Sequence, residues 1–158
     1  MSLLRCSVLI LCAVMLGACA AMQPQYGLHD PRLTGTWHDT EPWLTGIFVW
    51  NAETYFPDGT VCGYIFVVNE DGSSKLTVFK NQWKIKNNQL YSTESVSNDS
   101  FLSSLRRPIV DDILSLNTRV MRLHGHADAP GSSYVLRKLP IDRGDQLCKL
   151  FDAVMRQK

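Results

Sequence analysis

Short apolar stretches alternate with polar turns through the middle of the chain. Val61 to Val68 is rich in β-branched and aromatic residues, while Trp83-Lys84-Ile85-Lys86 alternates apolar and charged side chains. The first pattern suits a sheet, and the second is typical of a strand with one wet face. Pro57-Asp58-Gly59, residues 69–72 and Asn87-Asn88 are turn sequences between such stretches. We expect the neighbouring strands to pair antiparallel, because these connections are too short for a crossover helix.

The second half of the chain predicts further strands and then a helix. Strands are expected at residues 113–116, 120–123 and 134–139. After Pro140, four apolar residues recur at helical spacing and predict an amphipathic C-terminal α-helix: Leu147, Leu150, Phe151 and Val154. Residues 98–108 predict either a short helix capped by Asp99 or a lid-like loop. We therefore expect a mainly β fold, an antiparallel meander that forms a small barrel or half-barrel, since closure removes exposed strand edges.

The N-terminus has the features of a secretion signal. Arg5 precedes an apolar run from Cys6 to Leu16 that only Ser7 interrupts. Such a run suits a signal-peptide core and is too short to span a bilayer, which takes about 20 residues. The following string, Leu16-Gly17-Ala18-Cys19, resembles the lipobox of bacterial lipoproteins. That resemblance implies cleavage before Cys19 and attachment of fatty acyl chains such as palmitate to it. An ordinary secretory signal and an uncleaved membrane helix are the alternatives.

The lipobox resemblance implies a domain organisation and a location. Residues 1–18 would be the signal peptide, residues 19–33 the lipidated N-terminus and tether, and residues 34–158 the β domain with its C-terminal helix. Ala20 follows the cysteine, where an inner-membrane retention signal has Asp. Because several acyl chains give stable anchoring, we expect a protein anchored by lipid to the cell outer membrane and facing the periplasm.

Charge and cysteine content narrow the partners and the redox state. Lys and Arg total 16 while Asp and Glu total 15, which gives no electrostatic reason to expect nucleic acid. Cys6 and Cys12 belong to the predicted signal peptide and Cys19 to the lipid anchor, so Cys62 and Cys148 remain. The periplasm is oxidising, and we predict a disulfide between these two residues. Two buried free thiols are the alternative.

Several motifs together resemble the lipocalin-like domains of bacterial envelope proteins. They are Gly35-Thr36-Trp37, the hairpin from Tyr55 to Thr60, Trp83-Lys84-Ile85, and the strand from Tyr134 to Arg137. The resemblance covers roughly residues 35–139 and implies a β-barrel. The Thr-Asp-x-x-Tyr motif of classical lipocalins is not found, so a smaller, shallower barrel with a helix packed on it is the alternative to an eight-stranded cup.

The same resemblance assigns barrel closure to Gly35, Trp37 and a basic residue of the last strand. Trp37 would pack across one end of the barrel, and Arg137 would lie over its ring as a cation–π partner, with Lys138 as the second candidate. A plain core aromatic is the alternative for Trp37. Both interpretations give the ring a structural role.

The aromatic residues of the N-terminal half suggest a binding pocket. An apolar pocket inside a barrel is a usual place for a small ligand, and a packed core is the alternative. The candidates for its lining are Trp50, Tyr55, Tyr64 and Phe66.

Catalytic and metal-binding patterns are weak. His124-Gly125-His126 offers two ligands, too few for a structural zinc site. Asp111 and Asp112 should point to opposite faces of a strand. We expect no enzyme, no metal and no cofactor.

The expected function is binding of a small apolar ligand or envelope support. The alternative is a protein-interaction module, an inhibitor or assembly accessory with an envelope protein partner, that uses the barrel rim or residues 98–108.

Overall fold

The fold is an antiparallel barrel with a helix on its outside. The computed structural model describes residues 26–39, 47–125, 133–141 and 143–157. The elements of this part of the chain are β1 (Gly35–Asp39), β2 (Phe48–Tyr55), β3 (Thr60–Val68), β4 (Ser74–Lys86), β5 (Gln89–Ser97), α1 (Ser100–Ser104), β6 (Ile109–Leu116), β7 (Val120–Gly125), β8 (Ser133–Lys138) and α2 (Gly144–Met155). Each strand pairs antiparallel with the next, and β8 pairs with β1 to close the barrel. The predicted antiparallel barrel with a C-terminal helix is confirmed.

Strand β4 is longer than the sequence pattern indicates. The alternating residues 83–86 are the end of this continuous strand, which begins at Ser74 and pairs with β3 in unbroken register. Asn81 lies opposite Val61 on the inner face of the barrel, and this polar residue interrupts the apolar pattern without interrupting the backbone. Asn87 and Asn88 both have positive φ and form the predicted two-residue turn into β5.

Apolar side chains fill one half of the barrel interior. We call the end where β1 begins the Trp37 end, because the β2–β3, β4–β5 and β6–β7 turns also lie there. The cluster at this end, here the apolar half, contains Leu33, Trp37, Tyr55, Val61, Trp83, Ile85, Leu90, Ile113, Leu116, Met121, Leu123 and Leu136. Leu33 is fully buried, and the Leu28 carbonyl accepts a hydrogen bond of 2.8 Å from the Ile85 amide. The last residues of the predicted tether are therefore part of the folded domain.

Helix α2 packs on the outer face of β2 and β3. Leu147 clusters with Ala52 and Cys62, and Cys62 forms a disulfide with Cys148. The predicted disulfide is thus confirmed, with an S–S distance of 2.05 Å. The helix approaches so closely that a Cβ at Gly144 would lie 2.9 Å from side-chain atoms on the sheet. A glycine at the first turn therefore permits this packing.

A short helix and a lid-like loop were the two predicted alternatives for the segment between β5 and β6. The structure contains the short helix. The Asp99 side chain caps helix α1 by accepting a hydrogen bond of 3.1 Å from the Leu102 amide. No helix in the described ranges is long and apolar enough to cross a bilayer.

Candidate ligand site inside the barrel

The Trp37 end is closed by the tryptophan ring and a lysine. Trp37 is fully buried, and its indole N–H donates a hydrogen bond of 2.6 Å to the Leu33 carbonyl. The Lys138 ammonium lies 5.3 Å from the centre of the ring, which is a cation–π distance. Lys138 pairs with Trp37 across β8 and β1, whereas Arg137 pairs with His38 on the outer face. The assignment to Arg137 is corrected to Lys138, because adjacent strand residues point to opposite faces.

Gly35 makes room for this lysine. Its φ of 113° favours glycine, and a Cβ there would lie 2.7 Å from Lys138 Cε. The Lys138 ammonium also donates a hydrogen bond of 3.2 Å to the Arg32 carbonyl. Gly35, Trp37 and Lys138 thus lie together at one end of the barrel.

Three of the four predicted pocket residues point away from the interior. Trp50 and Phe66 are paired partners on the outer face, with ring centres 5.9 Å apart, and Phe48 stacks on Trp50 at 6.0 Å. We call these three residues the outer aromatic group. Tyr64 is on the same face and packs against the α2 cluster. The pocket prediction is therefore corrected for Trp50, Tyr64 and Phe66, which cannot line the inside of the barrel.

Tyr55 is the predicted pocket residue that does point inward. Its ring packs edge-on against Trp83 at 5.6 Å within the apolar half. Its hydroxyl donates a hydrogen bond of 2.5 Å to Glu53 Oε2. Tyr55 thus lies where the apolar half meets a second, polar half of the interior.

Polar side chains also lie on the inner face, level with Tyr55 or beyond it. We call the following residues the inner polar group: Asp39, Asn51, Glu53, Asn81 and Asp111. Strand pairing places them on one face, since Asn51 pairs with Asp39, Glu53 with Trp37 and Asp111 with the buried Leu90. The group draws on four strands, β1, β2, β4 and β6. Separate segments of the sequence therefore supply polar atoms to one region of the barrel.

Glu53 is a half-buried residue in the middle of the inner face. Its sheet neighbours Trp37 and Gly63 are buried, yet Glu53 itself retains accessible surface. The Phe79 ring occupies the space that a side chain at position 63 would need, since a Cβ there would lie 2.5 Å from Phe79 Cζ. A half-buried acidic residue among buried neighbours is a candidate contact for a small molecule or water.

Neutral donors hold the Glu53 carboxylate. Asn51 Nδ2 donates a hydrogen bond of 3.1 Å to Oε1, and the Tyr55 hydroxyl donates to Oε2. Burial raises the pKa of Glu53 above its ordinary value, and these two hydrogen bonds oppose the rise. Desolvation therefore dominates at this carboxyl group.

The pKa values of the two inner tyrosines, Tyr55 and Tyr134, are raised by burial and by nearby carboxylates. Burial raises the pKa of Tyr55 well above 10.0, and the Glu53 carboxylate raises it further. The pKa of Tyr134 is raised well above 10.0 by burial, by the charges of Asp111, Glu53 and Asp39, and by a hydrogen bond to Asp111. Both phenols therefore remain protonated donors at neutral pH.

Two acceptor atoms of the inner polar group have no donor among the described residues. Asn51 Oδ1 and Asn81 Oδ1 are buried, and neither accepts a hydrogen bond from the described residues. Both residues are more than nine-tenths buried. A buried acceptor without a donor is costly, and in a native fold an ordered water or a bound ligand can supply the missing donor.

The inner polar group was missed in the sequence, although a signal was present. Asn51, Glu53 and Tyr55 repeat at every second position of β2, a polar face that the apolar pattern of the neighbouring residues hides. Asp111 and Asp112 do point to opposite faces as predicted, with Asp112 accepting a hydrogen bond of 2.9 Å from Gln89 on the outside.

His124 lies on the outer face, where its ring nitrogen is 3.2 Å from the Ser133 hydroxyl, and His126 lies outside the described residues. Within the described ranges no three metal-ligating side chains come together. The interior offers acceptors, a carboxylate and apolar walls. Comparison with known proteins gives no match to a protein family and none to a curated protein.

Proposed function

We propose that this protein binds a small polar molecule in the half of the barrel that holds the inner polar group. The observation that carries the proposal is the half-buried residue Glu53, which faces the barrel interior and is held by neutral donors, together with two buried acceptors without donors on the same inner face. Pockets that bind small molecules combine apolar walls with a few placed polar groups. Ile65, Val67 and Phe79 supply apolar wall on the inner face of β3 and β4.

The proposed ligand differs from the apolar molecule expected from the sequence. That expectation depended on an inward aromatic wall, and the outer aromatic group lies outside the barrel. The remaining interior favours a molecule with a polar head and a short carbon chain. Its polar head would meet Glu53 and Asn51, and its chain would lie along the aliphatic side chains.

The N-terminal sequence supports a proposal for the cellular location of this protein. We propose an outer-membrane lipoprotein that faces the periplasm and is anchored through Cys19, a residue outside the described ranges. The Cys62–Cys148 disulfide supports an oxidising compartment, since such bonds persist mainly in secreted and periplasmic proteins. The first described residues lie at the Trp37 end, so the inner polar group would lie away from the anchor.

Native mass spectrometry of the protein purified from its own envelope tests the binding function. We expect a second mass above that of the lipidated chain, lost when the barrel is unfolded. A single mass under gentle ionisation, with no small molecule released on unfolding, would contradict the proposal.

Two variants locate the bound molecule. Ile65→Trp places a large ring on the inner face and should abolish the added mass, whereas Trp50→Ala changes the outside and should leave it intact. The opposite result would move the site to the outer aromatic group.

The lipid anchor has its own test. Cys19→Ser removes the atom to which the acyl chains attach, so the variant should leave the membrane fraction and lose the mass of those chains. Fractionation followed by intact mass measurement gives both readouts. A variant that stays on the membrane with unchanged acyl mass would show that the signal is not a lipobox.

A protein-interaction module is the second candidate function. It is favoured by exposed aromatic residues near the end opposite Trp37: Phe48 is 54% exposed and Phe101 of helix α1 is 60% exposed. Exposed apolar patches on soluble domains often mark binding surfaces. An intact added mass in Ile65→Trp together with loss of a co-purifying protein in Phe48→Ser would favour this function.

A further inference from the structure

We propose that the ligand of the inner polar group is an organic cation with several N–H donors, such as an aliphatic amine or a guanidinium compound. This proposal depends on the binding function proposed above and names its ligand class. Its basis is the balance of donors and acceptors, the charges on the inner face, and the apolar wall beside them.

Acceptors of the inner polar group lack donors among the described residues. The Glu53 carboxylate receives one hydrogen bond from Asn51 and one from Tyr55, although a carboxylate can accept about four. The Asn51 side-chain amide donates an N–H to Glu53, while its oxygen is buried without a donor. The side-chain oxygen of Asn81 in β4 is also buried without a donor. A ligand that satisfies these atoms must bring N–H or O–H groups.

The charge of the region favours a cation over a neutral donor. Glu53, Asp39 and Asp111 come from three strands, and their combined field acts on the Tyr134 phenol. The described inner face carries two lysines, and each has another role. Lys138 closes the Trp37 end, and Lys75 forms an ion pair with Asp99 at 2.5 Å. The described carboxylates therefore favour a bound cation in a medium of low dielectric constant.

The surroundings favour an organic cation over a metal ion. Metal sites need several ligands converging at fixed distances, and the described residues contain no group of three such acidic, histidine or cysteine side chains. Ile65, Val67 and Phe79 lie on the same inner face and can contact a carbon chain. An amine with a short aliphatic part satisfies both features.

Calorimetric titration with three matched probes tests the ligand class. Putrescine, butanediol and succinate share a four-carbon chain and differ in being a dication, a neutral diol and a dianion. We expect saturable binding of putrescine to the intact protein, and binding of the other two weaker by about tenfold or more, since a hydrogen bond to a charged group is worth about that factor. Equal or tighter binding of butanediol or succinate would overturn the proposal.

Removing one charge from the site should weaken putrescine selectively. Glu53→Gln keeps the acceptor for Tyr55 and should weaken putrescine by about tenfold or more. Glu70→Gln, an exposed residue in the β3–β4 turn, removes the same charge outside the barrel and should leave binding unchanged. An unchanged putrescine affinity in a folded Glu53→Gln protein, checked by circular dichroism, would contradict the role of the carboxylate.

The pH dependence of the unaltered protein gives a test that needs no variant. Because burial raises the pKa of Glu53, putrescine affinity should increase as pH rises through that raised pKa and the carboxyl group loses its proton. Asp39 and Asp111 also face this space, whereas Tyr55 and Tyr134 stay protonated throughout. Glu53→Gln should flatten the profile more than Asp111→Asn, and a flat profile in the unaltered protein would count against the cation site.

The results separate this inference from the binding function. A neutral or anionic molecule released in native mass spectrometry would preserve the binding function and overturn the cation assignment. The absence of both a released molecule and putrescine binding would overturn both. Putrescine binding that depends on Glu53 supports both.

Discussion

Trp37→Ala should lower the free energy of unfolding by about 3–5 kcal/mol, the usual cost of removing a fully buried large aromatic side chain. The variant loses the apolar contacts of the indole with the apolar half of the barrel. It also leaves the Leu33 carbonyl without its 2.6 Å indole donor, and the Lys138 ammonium without the ring beneath it. Denaturant unfolding of the secreted, lipid-free Cys19→Ser form measures the change.

Trp50→Ala is the matched control for this prediction. Trp50 belongs to the outer aromatic group and is 39% exposed, whereas Trp37 has no exposed surface. We expect the control to cost about 1 kcal/mol or less, because it loses aromatic contacts on the outside and leaves no closed cavity. Similar losses in the two variants would show that Trp37 does not close the barrel.

Much of the barrel is encoded in local signals. Asn87-Asn88 adopts the two positive φ values of a tight hairpin, and this turn needs no information beyond its own residues. Asp99 caps helix α1 through the bond that its position predicts. Pairing between neighbouring strands then follows, since short connections permit only antiparallel neighbours.

The face to which each side chain points could not be predicted as well. A shift of one residue in register moves every side chain of a strand to the other face. Arg137 and Lys138 are adjacent basic residues at the end of β8, so only the pairing of β8 with β1 decides which one reaches the Trp37 ring. The same uncertainty placed Trp50 and Phe66 inside the barrel, although they are directly opposite each other on the outside.

The inner polar group depends on contacts between distant parts of the chain. Asp39 and Asp111 are 72 positions apart, and only closure of the barrel brings their charges to bear on Tyr134. Helix α2 also makes the inner and outer faces of β2 harder to distinguish, because it buries residues of the outer face such as Thr54 and Ala52. Both faces of β2 near the helix are therefore buried, and alternation in burial no longer separates inside from outside.

Removing the Cys62–Cys148 disulfide should destabilise the protein by roughly 4–5 kcal/mol in the chain-entropy model, because the bond closes a loop of 86 residues in the unfolded chain. The bond ties β3 to helix α2 and encloses most of the barrel strands between its ends. Cys62→Ala/Cys148→Ala in the lipid-free Cys19→Ser form should show the loss in denaturant unfolding. Its helix should still dock through Leu147 and Phe151, which are both 8% exposed.

Reduction of the unaltered disulfide separates the cross-link from the packing of its sulfur atoms. Reduced Cys19→Ser protein keeps both thiols, so its stability should fall close to that of the double-alanine variant if chain entropy dominates. Cys62 is fully buried beside Ala52 and Leu147, and any further loss in the alanine variant measures the packing of the two side chains. Two free thiols per chain in denatured, unreduced periplasmic protein would contradict the bond. A loss below about 1 kcal/mol on reduction would show instead that residual structure already restricts the unfolded chain.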